Sequence, residues 1–536
     1  MKIYKALTVC SILLSSTLAN AQMYKWIDAN GQTHFSDKPH VSAKKIKVDG
    51  SGKVKVIPVS KNTKKSLTNS QKTTTKSIRI RLRTLLKQKE FVKLNKILSK
   101  LDQSFKKDIK NEGELFMAYE SFFIKKESFE SLFDNWVKAT PDSYIPYAAR
   151  AKYRYAMSWK ARGNNYSFST PEKQKYEMGQ YLKKAANDLN TGLDLNDDSI
   201  VLYEILMRVV KSQGSNEDAK AVLKKALTLY PATYNLRNIY LASLTPRWGG
   251  SYQEMQNFIN ETAQFVKLNP KLKQLESAIY IDKGNVLALK KEYELASLMF
   301  NSGTKFGENS GAFYERGENY VRLEEYKKAI NSLNKAIEIS SDWPLYFYWR
   351  AKAYIGLNQY NKAADDLNYA YELDPYDNSI RDKKRWVASK LSREAYDVKS
   401  EGDTKSAIEK YSTAIKYDPD NGDLFNQRAR AYYDERKHAL ALADIKTAIE
   451  LEPENYNHYL MLDYLVVKSN RDWNLIIQYW NQYIELKPND ARAYAEVAGT
   501  YYHNRDIKSA KRNAKKAADM GNNNGIEIYA KLKNLN

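Results

Sequence analysis

The sequence predicts an all-α chain, a solenoid of helix pairs, preceded by a small β-hairpin domain. The first observation is a repeat. Ser310–Trp343 aligns with Pro344–Asp377 without a gap at a period of 34 residues, placing Phe313 on Phe347, Gly317 on Ala351 and Tyr320 on Tyr354. Ala329 likewise falls on Ala363, Leu333 on Leu367 and Ala336 on Ala370. Self-similarity at this period, with apolar residues three and four apart, describes two amphipathic helices per unit. Small residues belong where helices cross closely, and aromatics fill the space beside them. Pro375 cannot continue the helix before it. The second observation is that this pattern recurs through most of the chain. The third is local: Asn30-Gly31 separates two short aromatic-containing runs, and both residues tolerate the positive φ of a hairpin turn.

Met1–Ala21 carries Lys2 and Lys5, an apolar run from Ala6 to Leu18, and Ala19-Asn20-Ala21 before Gln22. This is the pattern of a secretory signal peptide with an A-x-A cleavage site. The run is too short for a membrane anchor, which needs about 20 apolar residues. Val9 before Cys10 argues against lipidation. Cys10 is the chain's one cysteine, so after cleavage neither a disulfide framework nor a cysteine metal site is available. The expected address is outside the cytoplasm, the periplasm first and a secreted or surface-associated state second.

Residues 22–59 form the small β-rich domain. Tyr24-x-Trp26-x-Asp28, Gly31 and His34-x-Ser36-Asp37-x-Pro39 stand in this order. The stretch resembles a small domain of unknown function that follows signal peptides in many proteobacterial envelope proteins, which implies a Gram-negative envelope and no chemistry. Val54–Val59 reads as a further strand and Gly50-Ser51-Gly52-Lys53 as a turn. His34 and His40 have no third ligand at a metal-binding spacing. Residues 60–77 are a basic, flexible linker, rich in Ser, Thr and Asn and without an acid. Between Lys38 and Lys100, 19 Lys and Arg stand against Asp49 and Glu90, so most of the net charge of +23 belongs to this segment.

Residues 78–270 read as a divergent helical-repeat domain. Ile145–Gly163 and Lys173–Leu195 form a helix pair with an inserted loop, and Ile200–Thr233 follows the repeat pattern. Two clusters stand out, Trp159-Lys160-Ala161-Arg162-Gly163 and Pro246-Arg247-Trp248-Gly249-Gly250-Ser251. Both resemble signatures of an uncharacterised bacterial helical family across roughly residues 110–270. Gly249-Gly250 permits a tight reversal before a helix capped by Ser251. Trp159, Arg162, Arg247 and Trp248 are candidates for a cationic pocket with aromatic walls, or for a packed corner between helices.

Residues 271–536 hold the clearest repeats and end in a capping helix over Ile526–Leu535. Ser277–Asn309 is one residue short of the period; Asn378–Val387 is an insertion; Ala388–Asn421 and Gly422–Asn455 resume the pattern. Tyr456–Asp490 is one residue long and weaker, and Ala491–Asn524 fits. The aromatic–Gly–Tyr–Ala–Phe–Ala–Pro positions resemble the tetratricopeptide repeat. That resemblance implies a right-handed superhelix whose first helices line a concave groove. Carried over position by position, the groove is lined by Tyr314 and Glu318, Tyr348 and Lys352, Ser392 and Tyr396, and Asn426 and Arg430, with Lys399 and Tyr433 beyond. This aromatic and basic wall suits an extended peptide with carboxylates. The series departs from the chaperone-tail clamp of some family members at Tyr314/Glu318 and Ser392/Tyr396.

No catalytic motif is present: there is no G-x-S-x-G, H-E-x-x-H, C-x-x-C or phosphate-binding loop. His438, His458 and His503 read as solitary surface or packing residues. Asp365-Asp366 and Glu324-Glu325 read as diverging pairs on solvated helix faces. The expectation is a non-enzymatic scaffold without cofactor or metal, with no transmembrane segment after cleavage, whose partner is another envelope protein or peptide. The alternative is a binder of anionic envelope polymer or lipid head groups through residues 38–100. An enzyme of unknown type is the weakest reading, and nucleic acid is not expected.

Overall fold

A computed structural model describes residues 77–163 and 169–535 of the chain, together with four short strands upstream. β1 (Tyr24–Ile27) pairs antiparallel with β2 (Thr33–Ser36), Tyr24 opposite Ser36, which puts Asn30-Gly31 in the connection as the hairpin reading requires. β3 (Ile46–Val48) pairs antiparallel with β4 (Val54–Val56). The rest of residues 1–76, the proposed signal peptide and linker among them, lies outside the described residues.

From Ile78 the described residues form twenty-five α-helices, α1 (Ile78–Lys87) to α25 (Asn523–Leu532). They fall into two compact units. Unit 1 comprises Met1–Asn319 with Ser332–Trp343, and unit 2 comprises Tyr320–Asn331 with Pro344–Asn536.

In unit 2, α15 (Pro344–Gly356), α17 (Asn378–Ser400), α19 (Gly422–Asp434), α21 (Tyr456–Ser469) and α23 (Ala491–His503) are the first helices of successive pairs. Each packs on the helix that follows it. Ala351, Ala363, Ala395, Ala407, Ala429, Ala441 and Ala498 are fully buried at the crossings, so the small repeat residues serve as expected. The tight turn inside three of these pairs has one recurrent solution. Asn358, Arg436 and Arg505 take left-handed backbone with φ of 55°, 57° and 64°. That conformation lets the next N–H reach back five residues, Gln359 to the Tyr354 carbonyl, Lys437 to Tyr432 and Asp506 to Tyr501, at 2.8–2.9 Å. Carbonyls orphaned at the helix end are thereby satisfied.

Two irregularities of the repeat have a structural reason. The insertion Asn378–Val387 extends the next first helix into the 23 residues of α17, because Asp377 caps it and no breaker follows. Tyr456–Asp490 is weak as a sequence repeat because its core is differently filled. Asp463 stands where the other repeats carry a small residue, and Trp480 and Tyr483 replace smaller side chains. Trp480 is buried against Tyr459, 5.7 Å away between ring centroids, and Tyr456, 5.2 Å away, and its Nε1 donates to Asp463. Larger side chains fill this crossing, and the small-residue pattern is lost with them.

In unit 1, α5 (Tyr144–Arg162) and α6 (Glu172–Leu195) form the expected long pair. A single carboxylate ties distant segments together. Glu112, fully buried at the start of α3 (Glu112–Glu120), accepts from Thr233 Oγ1 at 2.8 Å, Tyr234 N at 2.9 Å and Asn269 Nδ2 at 3.1 Å. It thus caps α9 (Asn235–Leu241), whose flanking residue Tyr234 offers no side-chain cap. The Gly249-Gly250 reversal is as read from sequence: Gly249 has φ of 89°, and a Cβ on Gly250 would stand 2.3 Å from the Leu244 carbonyl oxygen. Ser251 then caps α10 (Tyr252–Thr262) by accepting from Glu254 N.

Candidate functional site

The first helices of unit 2 present a face that mixes cations with aromatics. On α15, Lys352 Nζ lies 3.8 Å from the Trp349 ring centroid and 6.0 Å from that of Tyr348. Arg322, in the last turn of α13 (Ser310–Arg322), lies 5.2 Å from the same Trp349 ring. Arg322, Trp349 and Lys352 line a shallow recess with Glu324, Tyr326 and Gly356. On α17, Tyr396 is 57% exposed with Arg393 above its ring, and Lys399 pairs with Asp434 of α19 at 2.7 Å. On α19, Arg430 is exposed and Tyr433 meets Tyr464 of α21 edge-on at 5.2 Å. Tyr464 and Tyr502 are 46% and 44% exposed. Aromatic side chains held half-wet beside cations are built to meet a partner that is apolar in part and anionic in part.

The structure separates the eight residues read from sequence. Tyr348, Lys352, Tyr396, Lys399, Arg430 and Tyr433 are partly or well exposed in unit 2. Tyr314 is not a surface residue: it is buried in unit 1 and its hydroxyl donates to Glu318 Oε2 at 2.6 Å, both on α13. Ser392 is also buried, donating to Gln427 at 2.6 Å. Asn426 is buried too, for a different reason. Its amide lies 2.8 Å from Nδ1 of the fully buried His458, while Arg430 Nε donates to its Oδ1 at 3.2 Å. Asn426 therefore positions Arg430 from below. Repeat position alone does not tell which side of the helix is covered by the next pair.

His458 is consequently not solitary. Because Arg430 occupies the Asn426 oxygen, the amide nitrogen donates to Nδ1, which leaves the ring proton on Nε2, 3.1 Å from Glu452 Oε2. Asp423, Glu452 and His458 bring ligand atoms within 4.8 Å of one another. Gly422 N donates to Glu452 Oε1 at 2.8 Å, and Asn455 Nδ2 donates to Glu452 Oε2 at 3.0 Å. Glu452 is thus held by N–H groups of Gly422 and Asn455 and faces the His458 ring. The paired carboxylates are also corrected. Asp366 is buried against Arg350, Asp365 accepts from Tyr417, and Glu324 sits in the turn after α13 with φ of 60°.

In unit 1 the two tryptophan clusters keep separate partners. Arg162 stands 5.4 Å over Trp159, whose other neighbour is Tyr155. Arg247 is ion-paired with the buried Asp282, which also accepts from Tyr252 at 3.0 Å, and Trp248 is 54% exposed beside it. Arg247 is therefore part of a packed corner that fastens the 3₁₀ turn Pro246–Trp248 to α11 (Ser277–Leu289).

Sequence reading passed over Trp349, Tyr464 and Tyr502. Tyr464 was within reach, since it holds in Tyr456–Asp490 the position that Tyr396 and Arg430 hold in theirs. The weakness of that repeat hid it.

Comparison with known proteins agrees with these segments. Residues 317–358 and 398–435 match a family model described as TPR repeat, and residues 422–455 match one described as tetratricopeptide repeat. Residues 10–62 match a domain of unknown function, DUF4124, and residues 78–181 and 204–274 match another, DUF4034. No curated protein matches the chain. Among solved structures, yeast Tom70 is 14% identical over 82% of this chain and 96% of its own, with a TM-score of 0.24. The C-terminal part of a TPR repeat-containing protein from Cytophaga hutchinsonii is 19% identical over 46% of this chain and 98% of its own, at 0.27. YrrB, a TPR protein with an unusual peptide-binding site, is 21% identical over 38% and 95%, at 0.23. Superpositions this loose set no residue of this chain against one of theirs.

Proposed function

We infer that this chain, which carries tetratricopeptide repeats behind a DUF4124 domain, is a non-catalytic scaffold that holds a partner protein or peptide of the cell envelope on the first helices of unit 2. The observation that carries the reading is the exposed run Tyr396, Tyr433 and Tyr464, interleaved with Lys352, Lys399 and Arg430. Scattered surface apolar residues mean little, but large aromatics left half-wet on successive helices favour a binding role. Aromatic anchors beside cations suit an extended segment that offers both apolar side chains and carboxylates. Trp349 and Lys352 form one end of the proposed surface.

Export to the periplasm belongs to this proposal. It is supported by the apolar run and A-x-A site of residues 1–21 and by the DUF4124 match. No helix among the described residues is long and apolar enough to cross a membrane. The mature N-terminus should be Gln22; an intact Met1 on the exported protein would overturn that. Crosslinked partners recovered from a periplasmic extract supply the ligand for a binding isotherm, with Tyr396→Ala and Tyr464→Ala as the variants. Weaker binding with an unchanged melt supports the surface named here, and unchanged binding of both variants removes it. Measured against salt, binding on aromatic anchors should fall gently, whereas a polyanion held by residues 38–100 should be lost steeply.

A further inference from the structure

Three residues from separate segments of unit 2 turn ligand atoms toward one point. Asp423 stands in the first turn of α19, Glu452 directly after α20 (His438–Leu451), and His458 in the first turn of α21. Nε2 of His458 lies 3.1 Å from Glu452 Oε2 and 3.9 Å from Asp423 Oδ1. Two metal–ligand bonds of about 2.1 Å at a tetrahedral angle set their ligand atoms about 3.4 Å apart. The two spacings bracket that value. Among the described residues neither carboxylate is ion-paired with a lysine or arginine, and both face the imidazole.

The cluster has room and an entrance. Gly422 carries no side chain where a Cβ would stand 3.0 Å from His458 Nε2 and 3.0 Å from Glu452 Cδ. The glycine leaves open the side of the cluster that a larger residue would crowd. The His458 ring is fully buried, whereas the Glu452 and Asp423 side chains are 33% and 64% exposed. The carboxylates therefore form the solvent side, from which an ion and its waters can enter. The ligands are also held from behind. Gly422 N and Asn455 Nδ2 donate to Glu452, and Asn455 Nδ2 stands 3.4 Å from Asp423 Oδ1. Such outer contacts orient the ligands of a metal site.

We propose that Asp423, Glu452 and His458 bind one transition-metal dication of the zinc class, with water completing its coordination. One imidazole nitrogen and two carboxylate oxygens suit zinc, whereas calcium takes about six to eight oxygens and magnesium an octahedron of them. The two carboxylates balance the charge of the ion. The ion takes the place of the Nε2 proton, which passes to Nδ1, and the Asn426 amide turns its oxygen to receive it. Arg430 then gives up the acceptor it has in Asn426 Oδ1. Metal binding here does not rest on the partner surface proposed for unit 2.

The test titrates zinc chloride into the full mature chain, without an affinity tag, by calorimetry and by thermal melt. Magnesium chloride and calcium chloride are the references. Zinc should bind saturably and raise the melting midpoint, and neither reference ion should match it. His458→Gln should abolish this binding. Asp423→Asn removes a charged ligand from an exposed position, so the fold is kept and zinc should weaken by about ten-fold or more. Should the glutamine variant not fold, Asp423→Asn decides alone. No saturable zinc binding, magnesium or calcium bound as tightly as zinc, or an unchanged zinc titration of Asp423→Asn would each overturn the proposal.

Discussion

Arg350 and Asp366 are bound side by side across the pair formed by α15 and α16 (Tyr360–Leu373), Nη2 to Oδ1 at 2.6 Å and Nε to Oδ2 at 2.8 Å. The same bidentate pair returns as Arg428 and Asp444 at 2.7 and 2.8 Å. In the repeat between them Glu394 and Lys410 hold the reversed pair at 3.3 Å. One position of the repeat thus keeps opposite charges facing while their signs exchange. Asp366→Asn should strand a buried guanidinium and cost about 3 kcal/mol or more, whereas replacing both partners with leucine should recover most of that. Urea denaturation of the two variants checks it. The exposed pair should behave differently: Lys410→Asp should cost about 1 kcal/mol or less.

Asn426 should prove structural. Removing its side chain leaves Nδ1 of His458 buried without a donor and releases Arg430. Asn426→Ala should therefore destabilise unit 2 by about 1–3 kcal/mol. A melt indistinguishable from the unaltered protein would return Asn426 to the surface.

Stability should depend on pH through Lys271. Burial pushes its ammonium from the ordinary 10.5 down to about 8, against the smaller opposing pull of Glu112. Its Nζ is buried, 5.3 Å from the Tyr234 ring, with no hydrogen-bond acceptor among the described residues. Arg237 lies in the field of the same Glu112. Between pH 8 and 10.5 the unfolded chain binds the proton that the folded chain has lost, so stability rises with pH across that window. Measured from about pH 7.5 to 9.5, below the titration of unfolded tyrosines, the gain should reach about 1–2 kcal/mol. Lys271→Met should remove it, and an equal slope in that variant would refute the assignment.

Lys352→Ala with Arg430→Ala should separate binding from folding. Lys352 gives up a cation–π contact with Trp349 and Arg430 a partly buried hydrogen bond to Asn426 Oδ1, so the double variant should lose about 1–2 kcal/mol of stability at most. If their charges meet partner carboxylates, each should weaken binding by about 1–3 kcal/mol. Ala351→Leu is the control. It overpacks a fully buried crossing, costs about 1–3 kcal/mol, and should lower the melt without touching the surface. Unchanged binding in the double variant would move the partner off this face.

The sequence by itself determined the helix pairs of unit 2, their small crossing residues, the pairing of the two strands on either side of Asn30-Gly31 and the cap at Ser251. Each of these is local, or repeats at a period that one chain displays against itself. Only the tertiary structure decided which polar residues are surface. Asn426, Ser392 and Tyr314 stand at groove positions of the repeat, yet the neighbouring helix or their own helix-mate covers them. His458 looked solitary because Asn426 is 32 residues away, and Glu112 gave no sign of capping a helix more than 120 residues later. Lys152 is buried between Glu120 and Glu204, which come from separate helices, and each charge looks solvated when its helix is taken alone. Periodicity reports the faces a helix has; which face is wet depends on contacts between residues far apart in the chain, and those leave no period to read.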